Sequence, residues 1–225
     1  MRPLPPTGRC FAAGVLAVAA LSAGCTDPND PAINPKARHN LESRPPAEVL
    51  FDGNSLDGWR TIQGSVRMED GRLVVGRAGG KSTLVSRRSF RDGELELDVR
   101  RRGGDGPRGP YTFGLRIGGG LLSWRSVYVI CRPDRVEACT GSAANWHPKP
   151  EAAAELGPAG DIERWRFVLD GPEITCFRSG AAVLAYRDSK PQEGALAITA
   201  DDCILEVLAV RYRPLAPLGP APADR

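Results

Sequence analysis

Polar and apolar residues alternate without a break from Gly93 to Arg100, with Leu95, Leu97 and Val99 on one side and Glu94, Glu96 and Asp98 on the other. A period of two marks a strand with one buried and one wetted face. Shorter versions of this pattern recur along the chain. Val66 to Val75 reads as a hairpin around Asp70-Gly71, and Ser82 to Arg88 as a further strand. Tyr111 to Ile117, Ser123 to Cys131 and Arg135 to Cys139 follow, then Ile162 to Asp170, Glu173 to Arg178, Val183 to Arg187, Ala195 to Thr199 and Cys203 to Tyr212. Gly, Pro and Asp punctuate them, and Ser179-Gly180 turns one hairpin. A single segment carries a helical signal. Pro150-Glu151-Ala152-Ala153-Ala154-Glu155-Leu156-Gly157 has Pro at its start and Gly past its end, which predicts one or two turns of helix inside a long loop from Thr140 to Asp161. The pattern therefore predicts an all-β domain, an antiparallel β-sandwich with one short helix in a long loop.

The ends of the chain lie outside this pattern. Arg2 and Arg9 precede an apolar run from Phe11 to Leu21, so residues 1–24 read as an export signal, too short for a stable membrane span. The run closes on Leu21-Ser22-Ala23-Gly24-Cys25, similar to a lipobox with Cys25 as the acylated residue, although the leucine stands one place further from the cysteine than usual. The alternative is ordinary cleavage near Ala23 with Cys25 left free. Lipidation implies an exported protein anchored to the bacterial cell envelope. Residues 25–47, rich in Pro, Asp, Asn and Arg, read as a tether, residues 48–213 as the folded domain, and residues 214–225 as a Pro/Ala-rich tail. At 225 residues, one domain plus tails is the natural organisation. Removing Arg2 and Arg9 leaves 28 basic against 27 acidic residues, a balance that offers no footprint for nucleic acid. The basic cluster Arg100-Arg101-Arg102 with Arg108 reads as a solvated strand end.

With Cys10 removed and Cys25 assigned to lipid, Cys131, Cys139, Cys176 and Cys203 remain. Cys131 and Cys139 flank the turn-like Arg132-Pro133-Asp134-Arg135, which makes them candidates for a cross-hairpin disulfide. Four buried thiols acting as small apolar side chains account equally well for the count. No CxxC or paired His/Cys spacing is present, so no zinc site is predicted.

The domain opens on Leu50-Phe51-Asp52-Gly53-Asn54-Ser55-Leu56-Asp57-Gly58-Trp59, two turn signals set among apolar residues. This string resembles the opening signature of the 3-keto-disaccharide hydrolase domain family. Met68-Glu69-Asp70-Gly71-Arg72-Leu73, Phe90-Arg91-Asp92-Gly93-Glu94-Leu95, Glu163-Arg164-Trp165-Arg166-Phe167 and Ala185-Tyr186-Arg187-Asp188 resemble later segments of that family. The resemblance implies a concanavalin-like jelly-roll sandwich. It also implies cleavage of sugars oxidised to a ketone at carbon 3: a base removes the acidified carbon-2 proton and the enolate expels the carbon-1 substituent. Two middle strands depart from the family. The strand that carries Asn-Ser-Gly in the family is Tyr111-Thr112-Phe113-Gly114-Leu115-Arg116 here, keeping only the arginine, and the strand with paired Glu and Gln is Val127-Tyr128-Val129-Ile130-Cys131.

Against that chemistry the candidates are few. Trp146-His147 in the long loop offers a base beside an aromatic that could face a sugar, and loop packing explains the pair as well. Glu137 is a second candidate base, or a solvated strand glutamate. Arg116 could hold an enolate or hydroxyl with its fork of donors, or pair with a carboxylate. Tyr128 joins Arg116 and Trp146 as a candidate sugar contact. A divalent metal could stabilise the enolate, but no ligand set is recognisable. Strand alternation explains Glu94, Glu96 and Asp98, and Asp201-Asp202 reads as a turn. Two readings follow: a surface hydrolase or lyase acting on 3-keto-disaccharides or glycosides, or a non-catalytic glycan-binding or structural envelope lipoprotein on the same frame.

Overall fold

The computed structural model describes residues 45–102, 109–118, 125–142 and 150–215. Fifteen strands fill these segments: β1 (Glu48–Phe51), β2 (Trp59–Gln63), β3 (Val66–Glu69), β4 (Arg72–Gly76), β5 (Lys81–Phe90), β6 (Gly93–Arg101), β7 (Tyr111–Gly118), β8 (Arg125–Cys131), β9 (Arg135–Ser142), β10 (Ala152–Glu155), β11 (Glu163–Asp170), β12 (Glu173–Arg178), β13 (Ala181–Arg187), β14 (Gly194–Asp201) and β15 (Ile204–Pro214). They form two antiparallel sheets. One runs β13-β12-β11-β6-β15-β4-β3, with β1 paired to β15 to make eight strands, and the other runs β10-β9-β8-β7-β14-β5-β2. The all-β sandwich predicted from periodicity is thus the observed architecture.

Alternation decides which side chains meet between the sheets. On β6, Leu95, Leu97 and Val99 are fully buried, and on β11 so are Trp165, Phe167 and Leu169. The facing sheet contributes Tyr111, Phe113 and Leu115 from β7 and Val127, Val129 and Cys131 from β8. Phe113 is the hub, its ring centre 5.4 Å from Tyr111, 5.2 Å from Phe167 and 6.0 Å from Trp165, each edge-on. Edge-to-face contacts of this kind add about 0.5–1.5 kcal/mol each beyond area burial.

The opening stretch closes the sandwich at one edge. Phe51 and Trp59 are buried, and Trp59 Nε1 donates to the Leu50 carbonyl at 3.0 Å. Asp52 Oδ1 accepts from the Asn54 amide at 3.0 Å, the local bond that makes Asp-Gly-Asn a turn. Gly53 has φ +93°, and a Cβ there would lie 2.4 Å from the Gly71 carbonyl oxygen. Its glycine is therefore required both by dihedral and by contact with the second Asp-Gly turn.

Two expectations are corrected. The helix predicted over residues 150–157 is instead β10, pairing Ala152 with Ala138 and Glu155 with Arg135 of β9. An isolated stretch of this length cannot sustain a helix nucleus, whereas the outer edge of β9 offers a ladder of backbone groups. Glu151 and Leu156 extend the contact by donating to the carbonyls of Ala138 and Asp134. Nor are Cys131 and Cys139 bridged. Cys131 is opposite Val136 and Cys139 opposite Tyr128, so the two lie on different pairs of the hairpin and on opposite faces of the sheet. All four described cysteines are free and buried.

Candidate functional site

Because Val127, Val129 and Cys131 point into the core, β8 must present Tyr128 and Ile130 on the opposite, outer face of the seven-stranded sheet. Register builds two rows across that face. Tyr128 lies between Cys139 of β9 and Gly114 of β7, and the row continues through Ala197 of β14 to Val85 of β5. Ile130 lies between Glu137 and Thr112, and its row continues through Thr199 and Thr83 to Gln63 of β2.

The rows differ in chemistry. Val85, Ala197 and Ile117 pack into a small apolar cluster on this outer face, with Ile62 and Ala195 against it. In the second row Gln63 Nε2 donates to Thr83 Oγ1 at 3.3 Å, and Thr83 Oγ1 lies 3.1 Å from Thr199 Oγ1. Hydroxyls and an amide thus form a ladder across three strands. Ile130 and Thr112 are half-buried and Gln63 is exposed, whereas Tyr128, Thr83 and Thr199 are buried.

One end of the second row carries charge. Glu137 accepts from Arg132 Nε at 3.0 Å and from Arg135 Nε at 2.6 Å. Burial works to raise its carboxyl, but the bonds from Arg135 and Arg132 outweigh it and hold the group below its ordinary value. Glu137 is thus an ionised, doubly bonded carboxylate and a poor proton acceptor near neutrality. Two positions before Thr83 on β5, Lys81 is the cross-strand neighbour of Asp201, and burial pushes its amine down to about 8, against the pull of Asp201.

Arg116 sits elsewhere. It adopts φ +56° beside the irregularity of β7 between Leu115 and Gly118, and its side chain is 1% exposed. Its Nε donates to the Arg91 carbonyl at 3.1 Å and its Nη2 to Asp92 Oδ1 at 3.0 Å, while Nη1 lies 3.9 Å from Asp188 Oδ2. The guanidinium ties the β5–β6 turn and the β13–β14 connection to β7. The candidates therefore separate: Tyr128 and Glu137 share the outer face, Arg116 is enclosed at one end of the sandwich, and Trp146, His147 and Cys25 lie outside the described residues. Among the described residues no three His, Cys, Asp or Glu side chains come together to hold a metal ion.

Gln63, Thr83, Thr199 and Lys81 were not singled out by sequence. Threonine in a strand reads as an ordinary β-former, and only the register of three separate strands makes a ladder of them.

Comparison with known proteins follows this geometry. Residues 46–214 match the 3-keto-alpha-glucoside-1,2-lyase-like domain, and the chain belongs to that family. No curated protein matches the sequence. Among solved structures, the carbohydrate binding module CBM66 from Bacillus subtilis superposes with a TM-score of 0.57 at 20% identity, covering 68% of this chain and 93% of that one. A putative glycosyl hydrolase from Parabacteroides distasonis gives 0.54 at 13% identity, covering 79% and 97%. The Bacillus licheniformis beta-glucanase gives 0.56 at 11% identity, covering 75% and 98%. At these identities the likeness is one of fold.

Proposed function

We propose that this chain is a carbohydrate-directed domain, anchored to the bacterial envelope through a lipid on Cys25, and that it holds a saccharide on the outer face of the seven-stranded sheet without cleaving it. One observation carries the reading. Across the row from Gln63 to Glu137 the face offers hydroxyls, an amide and the apolar body of Ile130, while the carboxylate of Glu137 is already bonded to two arginines. Such a surface supplies hydrogen bonds to sugar hydroxyls and apolar contact to the ring. The carboxylate of Glu137, spent on two arginines, is unsuited to take a carbon-2 proton.

Family membership over residues 46–214 favours a second reading, elimination from 3-keto-glycosides. The base would then come from the segment that holds Trp146 and His147. His147 would take the carbon-2 proton, its electron pair would form the carbon-1 to carbon-2 double bond, and the leaving alcohol would carry away the glycosidic oxygen.

The test uses the mature chain in two assays. The binding reading expects glycan-array capture that weakens in Gln63→Ala and Thr112→Ala, with no release of product from a 3-keto-glucoside. Turnover by the wild type that His147→Ala abolishes would overturn it in favour of the lyase.

A further inference from the structure

The outer face of the eight-stranded sheet carries a groove remote from the rows described above. Its volume is about 450 Å³, within the usual range of small-ligand sites. Glu96 and Asp98 of β6, Arg164 and Arg166 of β11, and Arg211 of β15 line it, with Gly180 of the β12–β13 turn at its rim. The alternation of β6 that sends Leu95 and Leu97 to the core sends Glu96 and Asp98 here, and antiparallel pairing puts an arginine on either side of each row or next to it.

These charges are not all spent on one another. Asp98 accepts from Arg211 Nη1 at 3.2 Å and lies 3.8 Å from Arg164 Nε. Arg166 behaves differently. Its guanidinium stands over the Phe177 ring, 4.0 Å from the centroid, and among the described residues it has no ion pair or side-chain hydrogen bond. Glu96, directly across the strand from Arg166, likewise has no side-chain partner among the described residues. A cation stacked on an aromatic face is pre-organised while its N–H donors stay available. The groove therefore holds an oriented guanidinium fork and an unspent carboxylate as neighbours, with three arginines against two carboxylates.

We infer that this groove is a second saccharide site, selective for sugars that bear a carboxylate. The carboxylate of a uronic acid pairs with the fork of Arg166, and a ring hydroxyl donates to Glu96. A phosphodiester group would satisfy Arg166 but has no hydroxyl on phosphorus to donate to Glu96. A neutral sugar would leave the excess positive charge of the groove unanswered. This inference does not depend on the proposed function of the other sheet, since the two faces are separated by the core.

The experiment is calorimetric titration of the mature, lipid-free chain with trigalacturonic acid, galactotriose and phosphatidylglycerol vesicles. Trigalacturonic acid is expected to bind, and Arg166→Ala to weaken it by about tenfold or more. Glu96→Ala separates the sugar acid from a plain anion: loss of the hydroxyl acceptor weakens a sugar acid, whereas loss of a negative charge tightens a simple anion. Unchanged melting of both variants excludes misfolding as the cause. Absence of trigalacturonate binding, insensitivity to Arg166→Ala, tighter binding by Glu96→Ala, equally strong Arg166-dependent binding of galactotriose, or Arg166-dependent vesicle binding would each overturn the assignment.

Discussion

Trp165 Nε1 donates to the hydroxyl of Tyr111 at 2.8 Å, joining the two sheets through a polar contact inside an apolar layer. The Tyr111 hydroxyl in turn donates to Glu163 Oε2 at 2.9 Å, and Arg178 Nε donates to the same oxygen at 2.9 Å. Arg178 Nη1 completes the chain by donating to the Gly157 carbonyl at 2.8 Å. The four side chains are buried and each has a partner, so the network fixes how β7, β11 and β12 sit together.

Tyr111→Phe tests that network. The phenylalanine keeps the ring but leaves the Trp165 N–H without its acceptor and takes a donor from Glu163. The cost expected is about 1–3 kcal/mol, read as a lower urea midpoint with an unchanged m-value.

Arg116→Met should act on stability rather than on ligand binding. The substitution leaves Asp188, 1% exposed, and Asp92 facing a methionine. Breaking a buried pair costs about 3–5 kcal/mol, and the partial exposure of Asp92 places the expected loss toward the lower end. Normal stability combined with lost sugar binding would reverse the assignment of this arginine.

What the sequence makes legible is what depends on near neighbours. The faces of β6 follow from its alternation, and the turns at Asp52-Gly53 and Asp70-Gly71 from their residues. What it hides depends on register. Cys131 and Cys139 look bridgeable because they flank one turn, yet parity alone sends them to opposite faces. Ala152 to Glu155 has helix-forming composition, and the open edge of β9 overrides it. The Gln63, Thr83 and Thr199 ladder joins strands far apart in the chain, and the left-handed φ of Arg116 has no signature in its own residue type.

Free cysteines give a direct chemical prediction. Burial pushes the Cys176 thiol up to about 12 and the Cys139 thiol up to about 11. Neither should react with a thiol reagent in the native state, and both should react after denaturation without reductant. The melting temperature should not change on adding dithiothreitol. A drop would reveal a disulfide.

Lys81 should be unusually reactive. Burial pushes its amine down to about 8, so competitive acetylation followed by peptide mapping should show half-maximal reactivity near that value. The linkage has a definite sign. The folded state releases the proton more readily than the unfolded one, so the penalty for burying this charge is fully present below pH 8. It is relieved as the pH rises from there toward the ordinary lysine value, and stability rises with pH in that window. A midpoint near the ordinary lysine value would show that the amine is solvated.

Glu137→Gln separates a structural carboxylate from a catalytic one. Its folded value lies below the ordinary 4.5, held down by Arg135 and Arg132 against the effect of burial. The stability it contributes is therefore present above the unfolded value and lost as the pH falls through the folded one. The glutamine can accept from one arginine but not as an anion from both, so the variant should be less stable near neutrality by about 1–2 kcal/mol. That gap should close in acid, where the wild-type carboxylate takes a proton. A base in an elimination reaction behaves otherwise. Its glutamine variant keeps its fold across the pH range and loses turnover on a 3-keto-glucoside, and that result would move Glu137 from a partner of Arg132 and Arg135 to the reacting centre.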